Sequence, residues 1–197
     1  PWRFFVVQKG EKTYDAIMAS LMDGNKAWAH TAPVLMLVVS KQRFSLYDKP
    51  NAVYKYDAGQ AVAYLSMQAT AEGLYLHQMG GIFPDKAQQL FQVPEGYEVL
   101  TAAAIGYLGN PDILPDTLQG PEKEIRTRKP TDEIVFGEAF GKAKRFWQQH
   151  LSKTKKRNPY KHGLRFFYCP PTQKKPPRAG WYKKWALGHE RKGEGKS

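Results

Sequence analysis

The strongest constraint on the fold is a nearly unbroken apolar run at residues 33–40, PVLMLVVS. The run has the length of a strand and lacks the alternating polar positions of a half-exposed one. It therefore predicts a strand at the centre of a sheet that is covered on both faces. Two further runs, at residues 2–8 and 99–107, predict two more core strands. Because the first of these begins at the second residue, we expect that preceding residues are missing.

The segment at residues 57–73, DAGQAVAYLSMQATAEG, predicts a long helix because it has no proline and has glycine only near its ends. Small and apolar side chains surround this helix almost completely. That pattern favours burial on most sides and packing against a partner subunit. The shorter predicted elements are helices over residues 13–22 and 84–91, a stop at Asp23-Gly24-Asn25, a strand over 74–79, and a surface segment over 110–130.

The composition favours one globular domain, since 42% of the 197 residues are hydrophobic and 13% are aromatic. No run approaches the ~20 apolar residues of a membrane span, and no signal peptide is recognisable, so we expect no membrane association and a cytoplasmic location. The single cysteine, Cys169, excludes an internal disulfide and cannot by itself make a cysteine-rich zinc site.

The net charge of +12 is concentrated at one end of the chain. Residues 1–141 hold 13 Lys and Arg against 16 Asp and Glu, whereas residues 142–197 hold 17 against two. We therefore predict a folded domain over 1–141 and a basic, disordered tail over 142–197. Three interpretations of the tail stay open: a nucleic-acid-binding extension, an arm without a dedicated partner, or the product of a shifted reading frame. The second and third are favoured because no nucleic-acid-binding motif is recognisable.

Four segments, in this order, resemble the FMN-dependent nitroreductase family. The first two are Pro1-Trp2-Arg3-Phe4 and the run from Trp28 to Val39. The third runs from Tyr56 to Gly81 and contains an Asp-x-Gly start of a helix, a Glu-Gly-Leu end and a Met-Gly-Gly turn. The fourth comprises Pro94-Glu95-Gly96-Tyr97, the strand after it and Arg126-Thr-Arg128-Lys-Pro130. The ordered set is more specific than any one motif. The family's N-terminal Arg-Arg-Ser-x-Arg element is not present, and Tyr64 stands where an asparagine is usual.

This resemblance implies an α+β fold, with a mixed, mostly antiparallel central sheet flanked by helices, in a homodimer that binds FMN at its interface. The long helix is expected at the centre of that dimer. The implied activity is the reduction of nitroaromatics, quinones or similar small acceptors by NAD(P)H through FMN. Because the cofactor carries the chemistry, no catalytic side chain is predicted.

The resemblance also assigns the cofactor-binding residues. Arg126 and Arg128 are expected to hold the FMN phosphate, since alternate residues of an extended segment point the same way and arginine binds phosphate bidentately. The backbone of Gly80 and Gly81 is expected at the isoalloxazine edge near N5 and O4, flanked by Gln78 and Met79. The alternatives are a solvated basic face for the arginines and an ordinary turn for the glycines.

Other polar residues are interpreted as structural. His30 and His77 show no metal-binding spacing, and Asp57 is most simply the N-cap of the long helix. The alternatives to an active enzyme are a truncated, catalytically impaired remnant of one and a protein that binds nucleic acid through the tail.

Overall fold

The computed structural model describes residues 1–144 and 167–168. The described residues divide into two compact units, residues 1–109 with 167–168 and residues 110–144. No helix in the described residues is long and apolar enough to cross a membrane. The remaining residues of the predicted basic tail lie outside the described part of the chain, so the three interpretations of the tail stay predictions.

Within the described residues, the first unit is built on a sheet of four longer strands in which every neighbouring pair is antiparallel. Its strands are β1 (Trp2–Gln8), β2 (Val34–Lys41), β3 (Tyr75–Met79) and β4 (Tyr97–Leu108), in the order β1-β2-β4-β3. A short strand, β5 (Phe167–Tyr168), pairs with the end of β4. The two most apolar strands occupy the centre, which confirms the prediction for residues 33–40. The predicted α+β fold is thus observed.

The described residues of the first unit contain four α-helices, α1 (Lys12–Ser20), α2 (Asp23–Ala29), α3 (Tyr54–Ala71) and α4 (Pro84–Leu90). Those of the second unit contain α5 (Asp116–Lys123) and 3₁₀ turns at Pro111–Ile113 and Thr131–Glu133. The helix α4 has proline in its first turn, as predicted. The surface segment over residues 110–130 differs from the expectation in containing α5, whose eight residues include Pro121.

The prediction that Asp23-Gly24-Asn25 ends a helix is wrong, because these residues begin α2. The break falls earlier, where Leu21 and Met22 are extended. Leu21 forms a β-bridge with Ile82, and the Met22 N–H donates to the carbonyl of Gly81 at 2.9 Å. These contacts explain why the helix ends before the turn-forming residues.

The helix α3 covers one face of the sheet. Its buried side chains are Ala58, Ala61, Val62, Leu65 and Ala69. Of these, Ala58, Val62 and Leu65 pack with Met36, Val38, Ala103 and Ile105 of the two central strands. The side chains of Tyr56, Tyr64 and Met67, on the opposite side of the helix, are exposed. The exposed fraction is 67% for Tyr64 and 70% for Met67. Burial on most sides is therefore not provided by the first unit itself.

The prediction that Asp57 caps α3 is wrong. The helix begins three residues earlier, with Val53 as its N-cap, and no side chain supplies a capping hydrogen bond. The Asp57 carboxylate accepts instead from the Asn51 amide at 3.2 Å, while the Asn51 carbonyl oxygen accepts from the Val53 N–H at 3.0 Å. Asn51 thus joins the entry of the helix to its first turn.

The other face of the sheet packs against α1 and α4. Phe5 of β1 lies against Phe91, directly after α4, with ring centroids 4.8 Å apart. The Tyr14 hydroxyl of α1 donates to the carbonyls of Ala29 and Ala32, at 3.1 and 2.7 Å, and burial raises the pKa of Tyr14 to about 12. Tyr14 therefore acts as a neutral structural donor that fixes the approach to β2.

Candidate functional site

Four of the predicted site residues, Gln78, Met79, Gly80 and Gly81, lie together where β3 ends. Gln78 and Gly80 are exposed, whereas Met79 is 1% exposed. Because successive strand residues point to opposite faces, Gln78 faces the α3 side of the sheet and Met79 the buried side. The side chain of Met79 therefore fills the core, which leaves only its backbone for contact with a ligand.

The carbonyl groups of this segment are held by the protein. The Gly81 carbonyl accepts from the Met22 N–H and from the Asn25 side-chain amide, each at 2.9 Å. The Gly80 carbonyl accepts from the Ile82 N–H at 3.0 Å, and the Met79 carbonyl accepts from the Thr101 hydroxyl at 2.8 Å. The turn is thus anchored on both sides without help from a ligand.

The N–H groups of the two glycines, unlike the carbonyl groups, have no hydrogen-bond partner in the described part of the protein. Within the described residues, neither the Gly80 N–H nor the Gly81 N–H donates a hydrogen bond to a protein oxygen. Gly80 is exposed and Gly81 is partly exposed, so both N–H groups can donate to water or to a ligand, and two adjacent donors suit an electron-rich or anionic group. The turn therefore offers a ligand two donors in a rigid frame.

The two glycines have different steric roles. A Cβ atom on Gly81 would come within 2.7 Å of the Asn25 Nδ2 atom, whereas a Cβ on Gly80 would meet nothing within 4 Å. Only at Gly81 would an added methyl group thus displace a neighbouring side chain. The sequence could not show this difference, because the glycines are adjacent and Asn25 is 56 residues from Gly81.

We expect Gly81→Ala to lower the free energy of unfolding by about 1–2 kcal/mol, because the added methyl group displaces the Asn25 amide from its hydrogen bond. Gly80→Ala is the matched control, with the same added atom in open space. Chemical denaturation of the two variants, followed by circular dichroism, checks the difference. Equal destabilisation by both would contradict the assigned contact.

A cavity of about 300 Å³ opens beside this turn, on the α3 face of the sheet. Its lining comprises Val38, Lys55, Ala58, Gly59, Val62, Gln78, Pro84, Glu98, Val99, Leu100 and Thr101. Its volume is at the lower end of the range of small-molecule sites, roughly 300–1,000 Å³. Gln78 belongs both to this lining and to the end of β3, so the cavity and the turn are contiguous along the chain.

The charged groups of the lining form an ion pair that sequence analysis did not identify. Lys55 Nζ lies 2.8 Å from Glu98 Oε1, and the other oxygen of Glu98 accepts from the Tyr54 hydroxyl and from Gln42. The hydrogen bond from Lys55, followed by that from Tyr54, holds the pKa of Glu98 below its usual value. The hydrogen bond to Glu98 raises the pKa of Lys55. Both groups are therefore charged at neutral pH.

Arg126 and Arg128 belong to the second unit, in an irregular segment between α5 and Pro130. Both are exposed. Arg128 Nη1 donates to the Thr127 carbonyl at 3.3 Å, and neither guanidinium forms an ion pair within the described residues. Two uncompensated guanidiniums two residues apart could bind a phosphate.

The structure gives no sign of a metal centre, since no group of three potential metal-binding side chains occurs among the described residues. Of the two histidines interpreted as structural, His77 packs against Trp28 with ring centroids 4.5 Å apart, and the Nδ1 atom of His30 lies 3.1 Å from the Lys26 carbonyl.

Comparison with known proteins places this geometry in one family. The sequence profile of the Nitroreductase family matches residues 5–107. The crystal structure of an oxidoreductase containing FMN is 36% identical, with a TM-score of 0.66, and the match covers 71% of this chain and 72% of that one. A nitroreductase family protein from Clostridium difficile 630 is 22% identical, with a TM-score of 0.53 and coverage of 71% and 74%, and supports the fold alone.

A relative known from its sequence extends the comparison. It is the uncharacterized 15.4 kDa protein in the ask 5' region of Mycolicibacterium smegmatis, 28% identical over 148 residues, which are 71% of this chain and 97% of that protein. The family profile, which covers more than half of the chain, and the 36% identical structure agree with the motifs at residues 56–81. The chain belongs to the Nitroreductase family.

Proposed function

We propose that this protein is an oxidoreductase that uses FMN to transfer reducing equivalents from NAD(P)H to nitroaromatics, quinones or similar small acceptors. The observation that carries the proposal is the Gly80–Gly81 turn, with two unused N–H donors and carbonyls that are already held. Family membership and the FMN of the 36% identical relative support the choice of cofactor.

The turn fits a flavin ring in three ways. Gly80 is exposed and has no side chain, so a flat ring can approach its backbone closely. A donor fixed before the reaction stabilises electron density near N5 and O4 of the ring without reorganising. The exposed Gln78 adds a donor and an acceptor beside the same edge. When bound, FMN supplies the hydride chemistry, and the protein supplies binding and orientation.

The phosphate end of FMN is assigned to Arg126 and Arg128. An FMN phosphate carries close to two negative charges, which two guanidiniums can match with bidentate hydrogen bonds. The absence of ion pairs to either arginine within the described residues supports this role, because no internal carboxylate competes for them.

We further propose that the protein acts as a homodimer through the exposed side of α3. Tyr56, Tyr64 and Met67 are large apolar or aromatic side chains that the first unit leaves exposed on this helix. Burial of such side chains is favourable, and exposed clusters of them commonly mark interaction surfaces. Analytical ultracentrifugation of the FMN-saturated protein tests this, and a purely monomeric species would overturn it.

Titration of the purified protein with FMN tests the proposed function. We expect quenching or a shift of flavin fluorescence on binding, followed by oxidation of NADH or NADPH when nitrobenzene or a benzoquinone is added. The matched blank contains FMN without protein, since free flavin reacts slowly by itself. Unchanged flavin fluorescence together with no protein-dependent NAD(P)H oxidation would overturn the proposal.

A further inference from the structure

The cavity beside α3 has walls suited to an aromatic ring. Its helical side includes Gly59, which is exposed and has no side chain, so a flat molecule can approach the helix there. Leu100 contributes apolar surface from the sheet, while Val38, Ala58 and Val62 are 0–1% exposed and form the floor of the cavity. A volume of about 300 Å³ accommodates a substituted benzene ring.

A β-bulge between β2 and β4 contributes to this cavity. Val38 pairs with Thr101 and Val39 pairs with Val99, so Leu100 is the extra residue of β4. Bulges redirect side chains locally and are common next to functional sites. The three β4 residues at the bulge, Val99, Leu100 and Thr101, all line the cavity.

The position of Lys55 gives the cavity a charge preference. Glu98 accepts hydrogen bonds from three side chains, those of Lys55, Tyr54 and Gln42, so its negative charge is shared among several donors. An ammonium group has three N–H donors, of which Glu98 Oε1 takes one and the Tyr54 hydroxyl a second. Lys55 is therefore held in place while retaining a donor for a second anion.

The cavity is also connected to the proposed flavin site. Gln78 lines it and stands two residues before Gly80. Thr101 lines it as well, and its hydroxyl donates to the Met79 carbonyl at 2.8 Å. A molecule in the cavity would thus lie beside the turn that we assign to the flavin ring.

We propose that this cavity is the acceptor site and that Lys55 selects aromatic acceptors that carry a carboxylate group. This inference rests on the proposed function. The acceptor's ring lies over Leu100 and Gly59 at the mouth of the cavity, its carboxylate pairs with Lys55, and its reducible group lies toward Gln78. For a nitro group, a hydride and a proton are taken up, a nitroso group and water are formed, and NAD(P)H is oxidised to NAD(P)⁺.

Two acceptors that differ by one carboxylate group, 4-nitrobenzoate and nitrobenzene, test the inference with the FMN-loaded protein. We expect Lys55→Met to lower the ratio of kcat/KM for 4-nitrobenzoate over nitrobenzene about fivefold, as for a half-exposed ion pair. Glu98→Gln is expected to raise the same ratio, because it removes the competing carboxylate. Lys86→Met, which removes an exposed lysine of α4 outside the lining, is the control and should leave the ratio unchanged.

The outcomes separate this inference from the proposed function. An unchanged ratio in Lys55→Met, or a fall of the ratio in both Lys55→Met and Glu98→Gln, would overturn the inference, since the second result is expected of a purely structural pair. A loss of FMN affinity in Lys55→Met with no change of ratio would place Lys55 in the flavin site instead. If the wild type reduces neither acceptor, the proposed function fails, and calorimetric binding of 4-nitrobenzoate to wild type and Lys55→Met then decides the inference alone.

Discussion

Replacing both Arg126 and Arg128 with glutamine is expected to weaken FMN binding by about two orders of magnitude or more. Each charge-assisted hydrogen bond to phosphate contributes on the order of 1.5–3 kcal/mol, and about 1.4 kcal/mol corresponds to a factor of ten. Both guanidiniums are exposed and have no ion-pair partner within the described residues, so the substitutions disturb no internal salt bridge. The change in the Kd for FMN is measured by flavin fluorescence titration.

The matched control removes the same amount of charge elsewhere. Lys12→Gln with Lys86→Gln eliminates two exposed cations from α1 and α4, neither of which we assign to the cofactor. The control should lower FMN affinity only through the general loss of positive charge, and this effect disappears at higher ionic strength. If both double variants lower the affinity for FMN equally at physiological salt, the arginines contribute only to the overall electrostatic field of the protein.

The core of the fold could be predicted because its signals are local. The central strands are continuous apolar runs, and α4 begins at a proline, so each element can be predicted from its own residues alone. The beginning of α3 was misplaced because two residues of its first turn, Tyr54 and Lys55, are positioned by Glu98 on β4. A contact across more than forty residues leaves no local pattern.

The candidate site shows the same limit more sharply. The Gly80-Gly81 pair was identified from its motif, but the role of Asn25 in holding it depends on a hydrogen bond that spans the first unit. The cavity depends on the shift of register at Val38 and Val39, which is a property of two paired strands rather than of either one. Motifs thus predicted the backbone turn, and the surrounding side chains required the structure.

The core around the central strand gives the largest expected effect on stability. Leu37 of β2 is fully buried, and its neighbours across the sheet are Phe5 on β1 and Ala102 on β4. Leu37→Ala is expected to lower the free energy of unfolding by about 2–5 kcal/mol, from lost burial and from the cavity that remains. Since domains of this size are stable by about 5–15 kcal/mol, the variant should retain a folded state that denaturant abolishes much earlier.

The same substitution at Leu46 provides the control, because this side chain is 86% exposed in the segment between β2 and α3. Leu46→Ala should change stability by no more than about 0.5 kcal/mol. Urea unfolding of both variants, followed by circular dichroism, compares the midpoints, and a similar slope indicates that the same surface is exposed on unfolding. Similar midpoints for both would mean that β2 is not the buried centre of the sheet. A large difference would instead show that Leu37 lies in the buried centre of the sheet, directly before Val38 of the cavity lining.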